Sequence, residues 1–134
     1  MNQPTVLDTN TLVSTIILPR SVPARAYQKA IDRGELVVSE STLAELYDVL
    51  QRSKFDKYVS LEKRLFFYAE LAEIAIHVPI THTSTACRDP KDNKFLELAL
   101  SASASFIISG DSDLLILHPF QGVAILSPAD YLLN

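Results

Sequence analysis

Residues 106–115 read FIISGDSDLL, and this stretch decides the fold. Phe106–Ile108 has the content of a short strand buried on both faces, as strands of a parallel sheet are. Ser109 and Gly110 follow as turn residues, glycine being free to enter a tight turn. Asp111 and Asp113 then leave the strand's end within one short turn. A parallel strand reaches its neighbour only through a crossover, normally a helix. The rest of the chain supplies that alternation.

Working outward, β-rich runs at Thr5–Leu7, Leu36–Val38, Ile76–Val78 and Val123–Leu126 alternate with longer helical patterns. That order predicts βαβ units and an α/β fold around a parallel sheet. Pro23–Arg33 opens with a first-turn proline and stops before Gly34, a matched start and stop. Ser41–Arg52 places Leu43, Leu46, Tyr47 and Leu50 at i, i+3, i+4 and i+7, so one face is buried. Leu61–Ala75 carries Phe66, Phe67 and Tyr68 in a row, more than one narrow stripe can bury. Part of that helix is expected to meet another helix or another subunit. Asp89 before Pro90 has the form of a cap for a helix running to Ser103.

The 134 residues suit one domain spanning 1–134. A chain of that length removes roughly 70% of its unfolded surface from water and needs no staples. Cys87 is the only cysteine, so no intrachain disulfide is possible and a reducing compartment is expected. The first ten residues, MNQPTVLDTN, lack the basic segment and apolar run of a signal peptide. No run approaches the ~20 apolar residues that span a bilayer, so a soluble cytoplasmic protein is expected. The net charge of −4 argues at first against a nucleic-acid partner. Setting aside the five carboxylates discussed next leaves 11 of the 16 acids against 12 Lys and Arg. Away from those five the chain is close to neutral.

Those five are Asp8, Glu45, Asp92, Asp111 and Asp113, each at a predicted strand end or in a predicted first helical turn. In an α/β fold such ends meet in the crevice at the C-terminal edge of the sheet. Acids gathered there repel one another and lose hydration, and a divalent cation offsets both costs. Oxygen donors without matching His or Cys suit Mg²⁺ or Mn²⁺. Metal-assisted attack on a phosphodiester is the chemistry that follows most naturally. Each acid also has a structural explanation. Asp8 can cap the helix after it. Thr42-x-x-Glu45 fits a capping box. Asp92, three residues after Asp89, would favour the helix dipole by about 0.3–1 kcal/mol without any catalytic role. The joint placement of all five at one sheet edge favours a site over several independent coincidences.

Other chemistries fit poorly. His77, His82 and His118 have no zinc-like spacing, and three glycines exclude a phosphate-binding loop. A receiver module would need a Lys after the last strand, which AILSPADYLLN lacks. A haloacid-dehalogenase-like phosphatase would want Asp where Asn10 stands. A pure interaction module, with the acids serving only as caps, is the remaining alternative. Basic residues form two groups: Arg25, Lys29 and Arg33 on one helical face, and Arg52, Lys54 and Lys57 beside Phe55 and Tyr58. Either group can meet phosphates or simply form a solvated face.

The order VLDTN, TLAEL, DPKDNKFLELAL, FIISGDSDLL and GVAILSPADYLL resembles the PIN-domain ribonucleases over nearly the whole chain. The pattern is nearest to the VapC-like branch found in bacterial toxin–antitoxin pairs. The resemblance implies a three-layer α/β/α sandwich and Mg²⁺- or Mn²⁺-dependent endoribonuclease activity. By motif, Asp8, Glu45, Asp92 and Asp111 would form the acidic quartet. Metal ligands would come from Asp8, Asp92, Asp111 and Asp113, and which of the last two lies closer is left open. Thr9, Asn10 and Ser109 would orient those ligands, and Asp89 is assigned to capping. The resemblance further implies an RNA substrate, an antitoxin partner and a homodimer, although PIN domains also occur in RNA-processing nucleases outside toxin pairs. Unpaired RNA would suit an open crevice, stacking on Tyr27 or Tyr58.

Overall fold

Thr5–Leu7 forms β1, and the computed structural model, which describes residues 2–134, continues from it directly into α1 (Thr9–Ile17). Next come α2 (Val22–Asp32), β2 (Val37–Val38), α3 (Glu40–Leu50), α4 (Leu61–Ile74) and β3 (Ile76–His77). A single 3₁₀ turn, Pro90–Asp92, leads into α5 (Asn93–Ser101) and β4 (Phe106–Ile108). The short α6 (Ser112–Leu115), β5 (Ala124–Leu126) and the short α7 (Pro128–Leu132) complete the chain.

β4 pairs in parallel with β1 on one side and β5 on the other, with Val6 opposite Ile107 and Ile107 opposite Ile125. β2 and β3 form a second parallel pair. A parallel bridge between Thr5 and Leu36 joins the two pairings, reinforced by the Thr5 N–H donating to the Glu35 carbonyl at 2.8 Å. The resulting order is β3-β2-β1-β4-β5. The chain moves outward from β1 to β3, then returns to place β4 on the other side of β1. That reversal is the topological switch point at which open α/β sheets bind ligands.

Side-chain alternation builds the two outer layers. Val6, Val37, Ile107 and Ile125 point to one face, under α5 and α6. Leu7, Leu36, Val38, Phe106 and Ile108 point to the other, under α1–α4 and α7. The expected three-layer α/β/α sandwich is therefore present.

Three local expectations are corrected. The capping box of α3 belongs to Ser39 and Thr42, not to Thr42 and Glu45. Ser39 leaves β2 in an extended conformation, so its hydroxyl reaches the Thr42 N–H while its own N–H donates to Thr42 Oγ1. Glu45 is thereby displaced into the second turn. The predicted Asp89–Ser103 helix is divided, because Pro90 starts a 3₁₀ turn before α5 begins. The third is Leu61–Ala75, which ends one residue early. It does meet another helix, with Tyr68 against Tyr47 of α3 at 5.1 Å between ring centres, yet Phe66 stays 68% exposed.

Among the described residues, no helix is long and apolar enough to cross a membrane.

Candidate active site

Asp8 ends β1 and caps α1, so its backbone is held by two elements at once. One carboxylate oxygen accepts the Thr11 N–H at 2.9 Å, and the other accepts the Ser109 hydroxyl at the end of β4. The carboxylate is buried, and burial pushes its pKa upward. The Ser109 and Thr11 bonds oppose that shift, while the charge of Asp111 adds to it. Ser109 Oγ also accepts the Asp111 N–H at 2.9 Å, so one hydroxyl spaces the acids that follow β1 and β4. Asp111 in turn caps α6 through the Asp113 N–H at 2.9 Å.

Glu45, in the second turn of α3, receives the Thr9 hydroxyl and pairs with Lys94 of α5 at 3.0 Å. Asp92 closes the 3₁₀ turn and makes no capping bond to α5. Its Oδ2 is buried without any partner. Burial comes first among the causes that raise the Asp92 pKa from 3.8 to about 7, followed by Asp111, Asp89 and Glu45. A carboxyl raised that far can share a proton with Asp111; once that proton is lost, neither acid has a donor to offer the other.

Asp8, Glu45, Asp92 and Asp111 line one cavity of about 310 Å³ at the switch point. Its floor includes Val49 and Phe95, and Arg52 and Lys91 stand among its walls. With Asp89, which also lines it, five acids from four separate segments share one crevice with two cations.

A family model for the PIN domain matches residues 4–113. This chain is a member of the PIN domain family. PIN domains are nucleases as a family. An uncharacterized protein of Methanocaldococcus jannaschii, MJ1680, is 30% identical over 115 residues, covering 84% of this chain and 74% of that one. The crystal structure of PAE2754 from Pyrobaculum aerophilum superposes with a TM-score of 0.66 at 16% identity, covering 97% of this chain and 88% of that one. The crystal structure of DNA-bound VapBC from Salmonella typhimurium gives 0.62 at 16% identity, with 94% and 98% covered. At such identities the two structural likenesses establish the shared fold.

The PIN domain's acids suit a hard cation by chemistry rather than by ready-made geometry. As the side chains stand, no three His, Cys, Asp or Glu among the described residues converge on a common ion position. The fit rests on the oxygen-only donor set, the unpartnered Asp92 oxygen, and a carboxyl driven toward its neutral form by burial and then by neighbouring acids. A divalent cation would give that oxygen a partner and offset that charge.

The structure separates the remaining sequence candidates. Thr9 and Asn10 line the acidic cavity, whereas Asp113 stands outside its lining. Arg52 lines it, but Arg25 and Lys54 do not. Lys29 is committed elsewhere, donating to the Tyr131 carbonyl at 2.7 Å and lying 4.4 Å from the Tyr131 ring centre. It ties α7 down instead of meeting phosphate. Tyr27 is buried against Phe67 at 5.4 Å, which removes it as a stacking platform; Tyr58 remains exposed.

Two residues that line the cavity had no site role in the sequence reading: Asp89, assigned there to capping alone, and Lys91; Lys94, the partner of Glu45, was not foreseen either. Asp89 does cap the 3₁₀ turn, through the Lys91 N–H, and also borders the acids. The only available signal for Lys94 was its place two residues after Asp92, which does not specify a partner 49 positions away.

Proposed function

We propose that this PIN domain is a Mg²⁺- or Mn²⁺-dependent endoribonuclease, acting as one domain in the cytoplasm and serving as the toxin of a toxin–antitoxin pair. The observation that carries the nuclease reading is the acidic cavity at the switch point, with an Asp92 oxygen that is buried and unpartnered. Asp8, Asp92 and Asp111 would hold the ion, with Asp113 entering only after its turn adjusts. The chemistry a divalent ion supplies when bound is neutralisation of phosphate charge and a lowered pKa for attacking water. Glu45, steadied by Thr9 and Lys94, orients that water and accepts its proton. Arg52 and Lys91 draw the phosphate backbone to the cavity mouth. Ser109 keeps Asp8 and Asp111 in register, and Asn10 borders the path of the substrate.

A 5′-labelled, unstructured RNA incubated with Mg²⁺ or Mn²⁺ tests this reading, with Asp8→Asn as the control. Cleavage by the parent and at least a hundredfold loss in the variant is the expected result. Equal cleavage by both proteins would overturn the assigned site.

The fold shared with VapBC, a toxin–antitoxin complex, supports the pairing with an antitoxin. Exposed Phe66 and Leu61 on α4 offer an apolar face for a second copy. Growth arrest on expression, relieved by the neighbouring reading frame, is the expected biology. Unaffected growth together with robust cleavage in vitro would point to an RNA-processing role instead.

A further inference from the structure

Beside the acidic cavity lies a second one of about 330 Å³, between α1, α2 and the β5–α7 turn. Its size falls within the range of small-molecule sites. Val22, Pro23, Pro128 and Ala129 give it apolar walls, while Asn10 and Ser14 stand one helical turn apart on α1. Neither the Asn10 carboxamide nor the Ser14 hydroxyl bonds another described group, whereas Ser127 Oγ is already accepting the Asp130 N–H at 3.1 Å. The two cavities are continuous in their lining. Asn10 belongs to both, and Gly110 lines one while the next residue, Asp111, lines the other. A Cβ added at Gly110 would meet no atom within 4 Å, so the space beside it is open.

We infer that this cavity receives one unpaired nucleobase of the RNA whose phosphate lies at the acids, and so sets the nucleotide preference next to the cut. The inference rests on the nuclease reading above and adds the specificity element to it. Apolar walls of Val22, Pro23, Pro128 and Ala129 accept the faces of a base. A carboxamide and a hydroxyl on one helix face offer both donor and acceptor to its edge. Consecutive residues are only about 3.8 Å apart. Gly110 and Asp111 therefore place base and phosphate within one nucleotide of each other. The cavity opens beside the acids that the nuclease reading assigns to the phosphate, so an RNA strand reaches it with its phosphate on the same path.

The test has two arms. In the first, a 12-nucleotide RNA pool of random sequence is cut in the presence of Mn²⁺, and the ends are sequenced. The parent should show a bias of about tenfold at one position flanking the cut. Ser14→Ala should reduce that bias, and Ser14→Phe, which fills the cavity, should abolish it while the pool is still cut. An unbiased parent, or a bias that both variants retain, overturns the inference. In the second arm, the metal-free parent labelled with ¹⁵N is titrated with uridine, cytidine, adenosine and guanosine. Shifts at Ser14, Gly110 and Ala129 for at least one nucleoside are expected, even if no RNA is cut. Absence of shifts with all four overturns the inference, and uncut RNA with shifts present overturns the nuclease reading alone.

Discussion

Replacing Asp92 by Asn should make the metal-free protein more stable at pH 8, although it removes an acid from the centre of the site. The Asp92 carboxyl has a pKa of about 7 against an ordinary 3.8, chiefly through burial and then through Asp111. Between those two pH values the folded chain binds more protons than the unfolded one, so stability falls as pH rises through the window and stays reduced above it. A shift of about three units corresponds to roughly 4 kcal/mol at 1.36 kcal/mol per unit. Asp92 is only half-buried, and water screens much of that, leaving about 1–2 kcal/mol. Asn also forfeits the favourable charge at the start of α5, about 0.5 kcal/mol. No capping bond is lost, because the Asp92 side chain makes none there. The net expectation is about 1 kcal/mol, or roughly 3–4 °C in Tm, at pH 8 in chelator, vanishing near pH 4.

Thermal unfolding of both proteins from pH 4 to pH 8 reads the effect directly. The parent curve should fall toward pH 8 more steeply than the Asp92→Asn curve. Added Mg²⁺ should reverse the order at pH 8, since an ion at 100 times its Kd contributes about 2.7 kcal/mol and the variant holds it less well. A variant less stable than the parent at pH 8 in chelator would refute the claim that unrelieved carboxylate charge strains this cavity.

Three further perturbations test the surrounding architecture. Lys94→Ala leaves Glu45 with Thr9 as its remaining partner and should cost about 1 kcal/mol without metal, with a larger Mg²⁺-induced rise in Tm than the parent shows. An unchanged Mg²⁺ response would separate Lys94 from the ion site. Asp56→Ala strips the fully buried Arg64 guanidinium of its carboxylate, which receives two bonds at 2.6 and 3.2 Å. Urea unfolding should show a loss of about 3 kcal/mol, and Arg64→Met in the same background should recover much of it. Lys29→Ala frees the Tyr131 carbonyl and ring, so amide exchange should accelerate across α7 and hardly change in α5.

Much of the sheet could be read from short apolar runs, because strands buried on both faces have few other compositions. Phe106–Ile108 and Thr5–Leu7 have the expected bounds, and only single residues were trimmed at the edges of Leu36–Val38, Ile76–Val78 and Val123–Leu126. Asp8 and Asp111 were legible for the same reason, since a parallel sheet brings its strand ends to one edge whatever the loops do, whereas Glu45 and Asp92 reach that edge from a helix and a 3₁₀ turn. Helix starts were less legible. Thr42 and Glu45 match a capping box on spacing alone, but the strand ends one residue before Ser39, and that hydroxyl reaches the helix first.

Long-range pairing was not legible at all. Lys29 carries the same charge and spacing as a phosphate-binding lysine, and only the return of α7 to its side shows that its ammonium is already engaged. Tyr27 reads as a surface aromatic until Phe67 packs over it. The same limit explains Ser109. As a residue in a Gly-Asp turn it looks like punctuation, yet its one hydroxyl donates to Asp8 and accepts from Asp111 across the switch point. Two carboxylates that repel are therefore spaced by a neutral group before any ion arrives. Spacing the two acids in this way separates their charges without cancelling them, and that residual repulsion is what a divalent cation would offset.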